Sequence, residues 1–145
     1  MLKQNGGMKK VTIHVVDDDP YWSCYLRDLL EAKFRPPHYL LKVEMAEHGG
    51  EALGLVQRSA QYGELPDLIL SDTNMPTMDG IAFWQELRSR GLNHIPFVLF
   101  FSGLNSRPDL TDEDLLRMGI QNIVAKDDSL EQMVNKIKEV LGLAV

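Results

Sequence analysis

Four short apolar runs in this sequence each end in residues able to do chemistry. Val11-Thr12-Ile13-His14-Val15-Val16 ends in Asp17-Asp18-Asp19. Asp67-Leu68-Ile69-Leu70-Ser71 runs into Asp72, with Asn74 two residues on. Pro96 to Phe101 is followed by Ser102, and Ile120 to Ala125 by Lys126. If these ends meet in space, the carboxylates crowd one small volume and repel one another. A hard divalent cation with oxygen ligands offsets that repulsion, and no His or Cys stands at these ends. Mg²⁺ fits best, because its usual shell is one or two carboxylates completed by waters and phosphate oxygens. A carboxylate beside Mg²⁺, with a hydroxyl and a lysine nearby, is also an arrangement for phosphoryl transfer. An Asp can act as nucleophile and form an aspartyl phosphate. Ser102 would donate a hydrogen bond to the phosphoryl group and Lys126 would neutralise its charge.

The elements that position these ends alternate strictly. Apolar runs read as strands over Val11–Val16, Tyr39–Met45, Asp67–Ser71, Pro96–Phe101 and Ile120–Ala125. Between them the apolar residues recur at helical spacing. Trp22, Tyr25, Leu26, Leu29 and Leu30 mark a first helix, capped by Asp19 with Pro20 in its first turn and stopped by Pro36-Pro37. Ala52, Leu53 and Val56 mark a second, Ile81 to Leu87 a third, and Thr111 to Met118 a fourth. Ser129 and Gln132 form a capping box for a fifth, which carries Leu130, Met133, Val134, Ile137, Val140 and Leu141. Five strands and five helices in alternation predict an α/β fold, a doubly wound parallel sheet whose ligands bind beyond the carboxyl ends of the strands. The fourth run is apolar throughout, as a strand covered on both faces must be.

The 145 residues suit about one domain. The hydrophobic fraction of 44 % and charged fraction of 25 % are those of an ordinary globular chain. A formal net charge of −6 disfavours direct nucleic-acid binding. No apolar run approaches a membrane span, and Met1 to Lys10 has no apolar signal core. The single cysteine, Cys24, rules out an internal disulfide and suits a reducing cytoplasm.

The ordered set of motifs resembles the response-regulator receiver domain of two-component signalling. The carriers are Val16-Asp17-Asp18-Asp19-Pro20, the run into Asp72, Met75-Pro76 followed by Met78-Asp79-Gly80, Phe101-Ser102-Gly103, and Lys126. The resemblance spans residues 9–145 and leaves 1–8 as a flexible N-terminus, with no output domain. It implies a flavodoxin-like (βα)5 sheet with strand order 2-1-3-4-5. It makes Asp72 the phosphoacceptor and Asp17, Asp18, Asp72 and the Asn74 carbonyl the Mg²⁺ ligands. Ser102, Lys126 and Ile123 become the phosphoryl-binding and switch residues, with Asp72 and Lys126 catalytic. The implied activity is self-phosphorylation and autodephosphorylation, without classical substrate turnover. The donor would be a phosphohistidine on a sensor histidine kinase or a histidine phosphotransfer protein, and the output a downstream protein target. Receiver homodimers are common, and nothing in this sequence compels one.

The chain departs from that pattern at three places. Asp127 and Asp128 follow Lys126 where receivers usually have proline, so a trans bond and competition for the lysine ammonium are expected. Ile123 stands where an aromatic switch residue is common, and Leu104 to Arg117 is long and acidic. These departures support an alternative, a pseudo-receiver interaction module that is not phosphorylated. A phosphatase of the haloacid-dehalogenase type wants an acid two residues after the nucleophile, and Asn74 is not one. Outside the site, His14 reads as a core histidine with a hydrogen-bond partner, Cys24 as a buried small hydrophobe, and Trp22 and Trp84 as packing residues, Trp22 close to the acidic loop.

Overall fold

The computed structural model describes residues 2–5, 7–101 and 109–143. Among the described residues, six strands and five helices follow one another as β1 (Lys3–Asn5), β2 (Met8–Val16), α1 (Pro20–Lys33), β3 (Tyr39–Ala46), α2 (Gly49–Gln61), β4 (Leu68–Asp72), α3 (Gly80–Ser89), β5 (Phe97–Phe101), α4 (Asp112–Arg117), β6 (Asn122–Ala125) and α5 (Leu130–Val140). Five strands are parallel, in the spatial order β3-β2-β4-β5-β6. Counting only the parallel strands, this is the expected order 2-1-3-4-5. Among the described residues no helix is long and apolar enough to cross a membrane.

Both faces of the sheet are covered. Leu26, Leu30 and Phe34 of α1 and Met133 and Ile137 of α5 close over Val11, Ile13, Val15, Leu68, Leu70, Val98 and Phe100. On the other face Ala52 and Val56 of α2, Phe83, Trp84 and Leu87 of α3 and Leu115 of α4 close over Val16, Ile69, Phe97 and Leu99. The alternation of side chains along each strand sends successive residues to opposite cores. β4 is therefore buried along its whole length. Fully burying one such aliphatic or aromatic side chain stabilises the fold by roughly 1.5–3 kcal/mol, so the two layers hold the strand ends rigidly.

The helices begin where their caps require. Asp19 Oδ1 accepts the N–H groups of Tyr21 and Trp22, and Pro20 occupies the first turn of α1. Thr111 with Asp114 and Ser129 with Gln132 form reciprocal capping boxes on α4 and α5. The cap of α2 is His48, whose Nδ1 accepts from the Glu51 N–H, a role its residue type did not advertise.

Within the N-terminal segment, Lys3–Asn5 forms β1, antiparallel to β2 in the register Lys3↔Lys10 to Asn5↔Met8. The turn uses Gly7 at φ +88°, open to glycine. β4 pairs with β2 only from Ile13 onward, which leaves the start of β2 free for β1. Cys24 is exposed, and so is Tyr25, because α1 turns Ser23, Leu26 and Leu30 to the sheet instead. His14 is in the core, 1 % exposed, but neither ring nitrogen has a hydrogen-bond partner among the described residues.

Candidate functional site

The site forms where the parallel strands end. β2 and β4 are neighbours with Val16 opposite Ser71, so the next residues, Asp17 and Asp72, emerge side by side. Asp18 joins them, and one oxygen from each of the three carboxylates lies within 4.8 Å of the others. Asp17 and Asp72 are buried while Asp18 is exposed, so the cluster opens to solvent on one side.

Lys126 completes the cluster from two strands away. Its N–H bonds to the Phe101 carbonyl at 2.8 Å, which holds it at the end of β6, with β5 between it and β4. The four-carbon stem spans that gap. The ammonium donates to Asp17 Oδ2 at 2.6 Å and lies 3.5 Å from Asp72 Oδ1. Asp127 and Asp128 are exposed, and the ammonium is paired with Asp17 and Asp72 rather than with them. The Lys126–Asp127 bond is trans, as expected.

Asp72 is held by its own backbone surroundings. Oδ1 accepts the Thr73 N–H at 2.9 Å, and the Thr73 hydroxyl donates to the Phe100 carbonyl at 2.7 Å. Thr73 is fully buried, and nothing in its residue type distinguished it beforehand. Gly80 closes the loop beneath: its N–H bonds to the Thr73 carbonyl, and a Cβ there would stand 1.9 Å from the Asp72 carbonyl oxygen. Only glycine lets the start of α3 approach β4 this closely. Between them Thr77 adopts φ +68°, spanned by a 2.7 Å bond from the Met78 N–H to the Pro76 carbonyl. A β-branched residue in that region stores backbone strain within the loop that carries Asn74.

Burial and the negative charge of Asp17 push Asp72 up to about 6, against the opposing pull of Lys126. Burial likewise raises Asp17, against its bond from Lys126. Three carboxylates against one ammonium leave a cavity short of positive charge. Its donors are all hard oxygens, so Asp17, Asp18 and Asp72 fit a divalent cation such as Mg²⁺. Asn74 lies exposed in the loop directly after Asp72 and Thr73.

The remaining expected residues fall elsewhere. Ser102 lies outside the described residues. Ile123 pairs with Leu99 and is half-buried against the core beneath α2, α3 and α4. Trp84 is a packing residue, its ring tilted against Phe97 and its Nε1 donating to the Met118 carbonyl at 2.7 Å. Trp22 is more than packing: the Lys126 ammonium stands 5.1 Å from its ring centroid. The only hint in the sequence was its place one turn after the acidic triplet.

A family model for the response regulator receiver domain matches residues 13–138. This chain belongs to that family. The receiver is 33 % identical, over 134 residues, to protein-glutamate methylesterase/protein-glutamine glutaminase 2 of Carboxydothermus hydrogenoformans, covering 92 % of this chain and 34 % of the relative. The chain spans about a third of the length of this relative and of a second curated methylesterase/glutaminase that it matches. Among solved structures it resembles the signal receiver domain of a signal transduction histidine kinase from Syntrophus aciditrophicus, at 26 % identity and TM-score 0.73, covering 91 % of this chain and 90 % of that one. A phosphorylated cyanobacterial phytochrome response regulator, also 26 % identical, superposes with TM-score 0.70 over 90 % of this chain and 92 % of its own. The chain is thus a receiver domain of two-component signalling.

Proposed function

We propose that this receiver accepts a phosphoryl group from a phosphohistidine onto Asp72 in the presence of Mg²⁺ and signals through protein–protein contacts. The observation that carries this reading is the convergence of three carboxylates, with oxygens within 4.8 Å, around one lysine ammonium at the strand ends. A carboxylate oxygen of Asp72 attacks phosphorus, the P–N bond of the donor breaks, and its electron pair stays on the imidazole nitrogen. The product is an acyl phosphate on Asp72. Asp17, Asp18, Asp72 and the Asn74 carbonyl would hold Mg²⁺, which would neutralise charge on the phosphoryl oxygens. Lys126 adds a second positive charge at the same oxygens, and Ser102 a hydrogen bond. The donor in this reading is a sensor histidine kinase or a histidine phosphotransfer protein. The phosphorylated form then acts on a downstream protein target.

The test is the intact mass after incubation with Mg²⁺ and acetyl phosphate or phosphoramidate, beside Asp72→Asn. The expected result is one added phosphoryl group that requires Mg²⁺ and is absent from the variant. No addition with either donor, together with no Mg²⁺ effect on the melting curve, would establish the rival reading of a pseudo-receiver. That rival rests on Asp127 and Ile123, and the position of the Lys126 ammonium, on Asp17 and Asp72, favours the phosphorylated form.

A further inference from the structure

The ammonium of Lys126 has two kinds of neighbour. On one side stand Asp17 Oδ2 at 2.6 Å and Asp72 Oδ1 at 3.5 Å. On the other stands the indole of Trp22, its centroid 5.1 Å from Nζ. A ring face attracts a cation within about 6 Å. The lysine side chain is only 14 % exposed, so water screens that attraction little.

The ring is itself fixed. It stands edge-on to Phe100 at 5.7 Å between centroids and tilted against Tyr25 at 5.6 Å. Its backbone N–H bonds to Asp19 Oδ1, and the Asp19 N–H bonds to Asp17 Oδ1. Phe100 is register-paired with Asp72. The indole is thereby anchored to the strand lying between the lysine and the acceptor.

The carboxylates have a competing duty. The proposed cation needs an Asp17 oxygen, and Lys126 holds one of them. An indole face cannot ligate a hard cation, which takes oxygen donors. It is therefore a partner for the ammonium that the metal does not contest. We infer that Trp22 is a positioning residue for Lys126, keeping the ammonium beside Asp72 while Asp17 turns to the metal, so that both cations occupy the site together. This rests on the Mg²⁺-dependent function proposed above and adds a residue to it.

The test is a double-mutant cycle read as Mg²⁺ affinity, by amide-shift titration of the full chain at constant ionic strength. Wild type, Trp22→Leu, Lys126→Met and the double variant are compared. Trp22→Leu is expected to weaken Mg²⁺ binding about three- to tenfold, the range of one partly buried cation–π contact, because the ammonium falls back on Asp17. With Lys126→Met in place, Trp22→Leu should change affinity less than about twofold. Trp22→Phe keeps a weaker ring face and most of the packing, and should fall between wild type and Trp22→Leu. The same cycle is run with Trp22→Phe, so a poorly folded leucine variant does not decide the outcome. Equal losses in both Lys126 backgrounds would make Trp22 purely structural and overturn the inference, as would an unchanged affinity in both Trp22 variants. A wild-type chain that binds no Mg²⁺ would overturn the proposed function, and the inference with it.

Discussion

Two buried polar groups, Asp72 and His14, respond to pH in opposite senses. The folded chain holds the Asp72 proton up to about pH 6, whereas the ordinary value is 3.8. Folding takes up a proton between those values. Without metal, stability is therefore greatest below the ordinary value and falls as pH rises through about 6. Asp72→Asn removes the buried charge. In chelator, urea unfolding should find the variant on the order of 1–2 kcal/mol more stable than wild type near neutral pH and no more stable near pH 4. Burial instead lowers the pKa of His14 below 6.5, outweighing Glu44, whose charge pulls it up. Its neutral ring is compatible with the core, and protonation is not. Its contribution is complete above the ordinary value and is lost as pH falls below it. His14→Leu, which also removes two ring nitrogens without hydrogen-bond partners among the described residues, should flatten the acid side of the stability profile below about pH 6.5. An unchanged profile would show that another group governs the acid limb.

At the scale of elements, the approach of α3 to β4 shapes the site. The start of α3 lies against the end of β4 because position 80 has no side chain. Gly80→Ala would drive a methyl group into the Asp72 carbonyl. It should cost about 1–3 kcal/mol, as overpacked sites do, and should weaken Mg²⁺ binding by displacing the acceptor strand. Gly54, inside α2, is the control, since a Cβ there meets nothing within 4 Å. Gly54→Ala should stabilise the chain by roughly 0.5–1 kcal/mol through helix propensity and leave the site untouched. Chemical unfolding of both variants checks the contrast. Similar losses in the two would mean that backbone freedom rather than contact governs position 80. The helix caps belong to this scale too. Asp19 caps α1 while its own N–H is held by Asp17, so the acidic loop and the first helix start are one hydrogen-bonded unit.

Over the whole molecule, binding at the strand ends should stabilise and then redirect the fold. A ligand that binds only the folded state adds about 1.4 kcal/mol when its free concentration is ten times its dissociation constant. Mg²⁺ should therefore raise the melting temperature, and Asp17→Asn or Asp18→Asn should diminish the shift. β4, which carries Asp72, is connected through β5 and β6 to the core beneath α4, where Ile123 is packed. The proposed switch transmits phosphorylation along that path. Amide shifts on binding a phosphoryl mimic should extend from the strand-end loops to Asp112–Arg117 in α4. Shifts confined to residues around Asp17, Asp72 and Lys126 would show that an aliphatic Ile123 does not pass the signal on.

Much of this was written locally. The two-sided apolar runs, the helix stripes, the Asp19 cap and the Ser129–Gln132 capping box depend on residues within a few positions of one another, so periodicity and residue type alone specify these strands, helices and helix starts. The chemistry at each strand end was equally legible, because Asp17, Asp72 and Lys126 each terminate an apolar run. Contacts across the chain were not. The Lys126–Asp17 pair joins residues 109 positions apart, and only the order of the strands makes them neighbours. The rotation of α1 that exposes Cys24 and Tyr25, the indole over Lys126 and the pairing of β1 were likewise tertiary outcomes. Each depends on which surface is left after the sheet and its two helical layers have packed. Local periodicity carries no record of that competition, because every candidate partner satisfies the same pattern until three-dimensional packing admits only one.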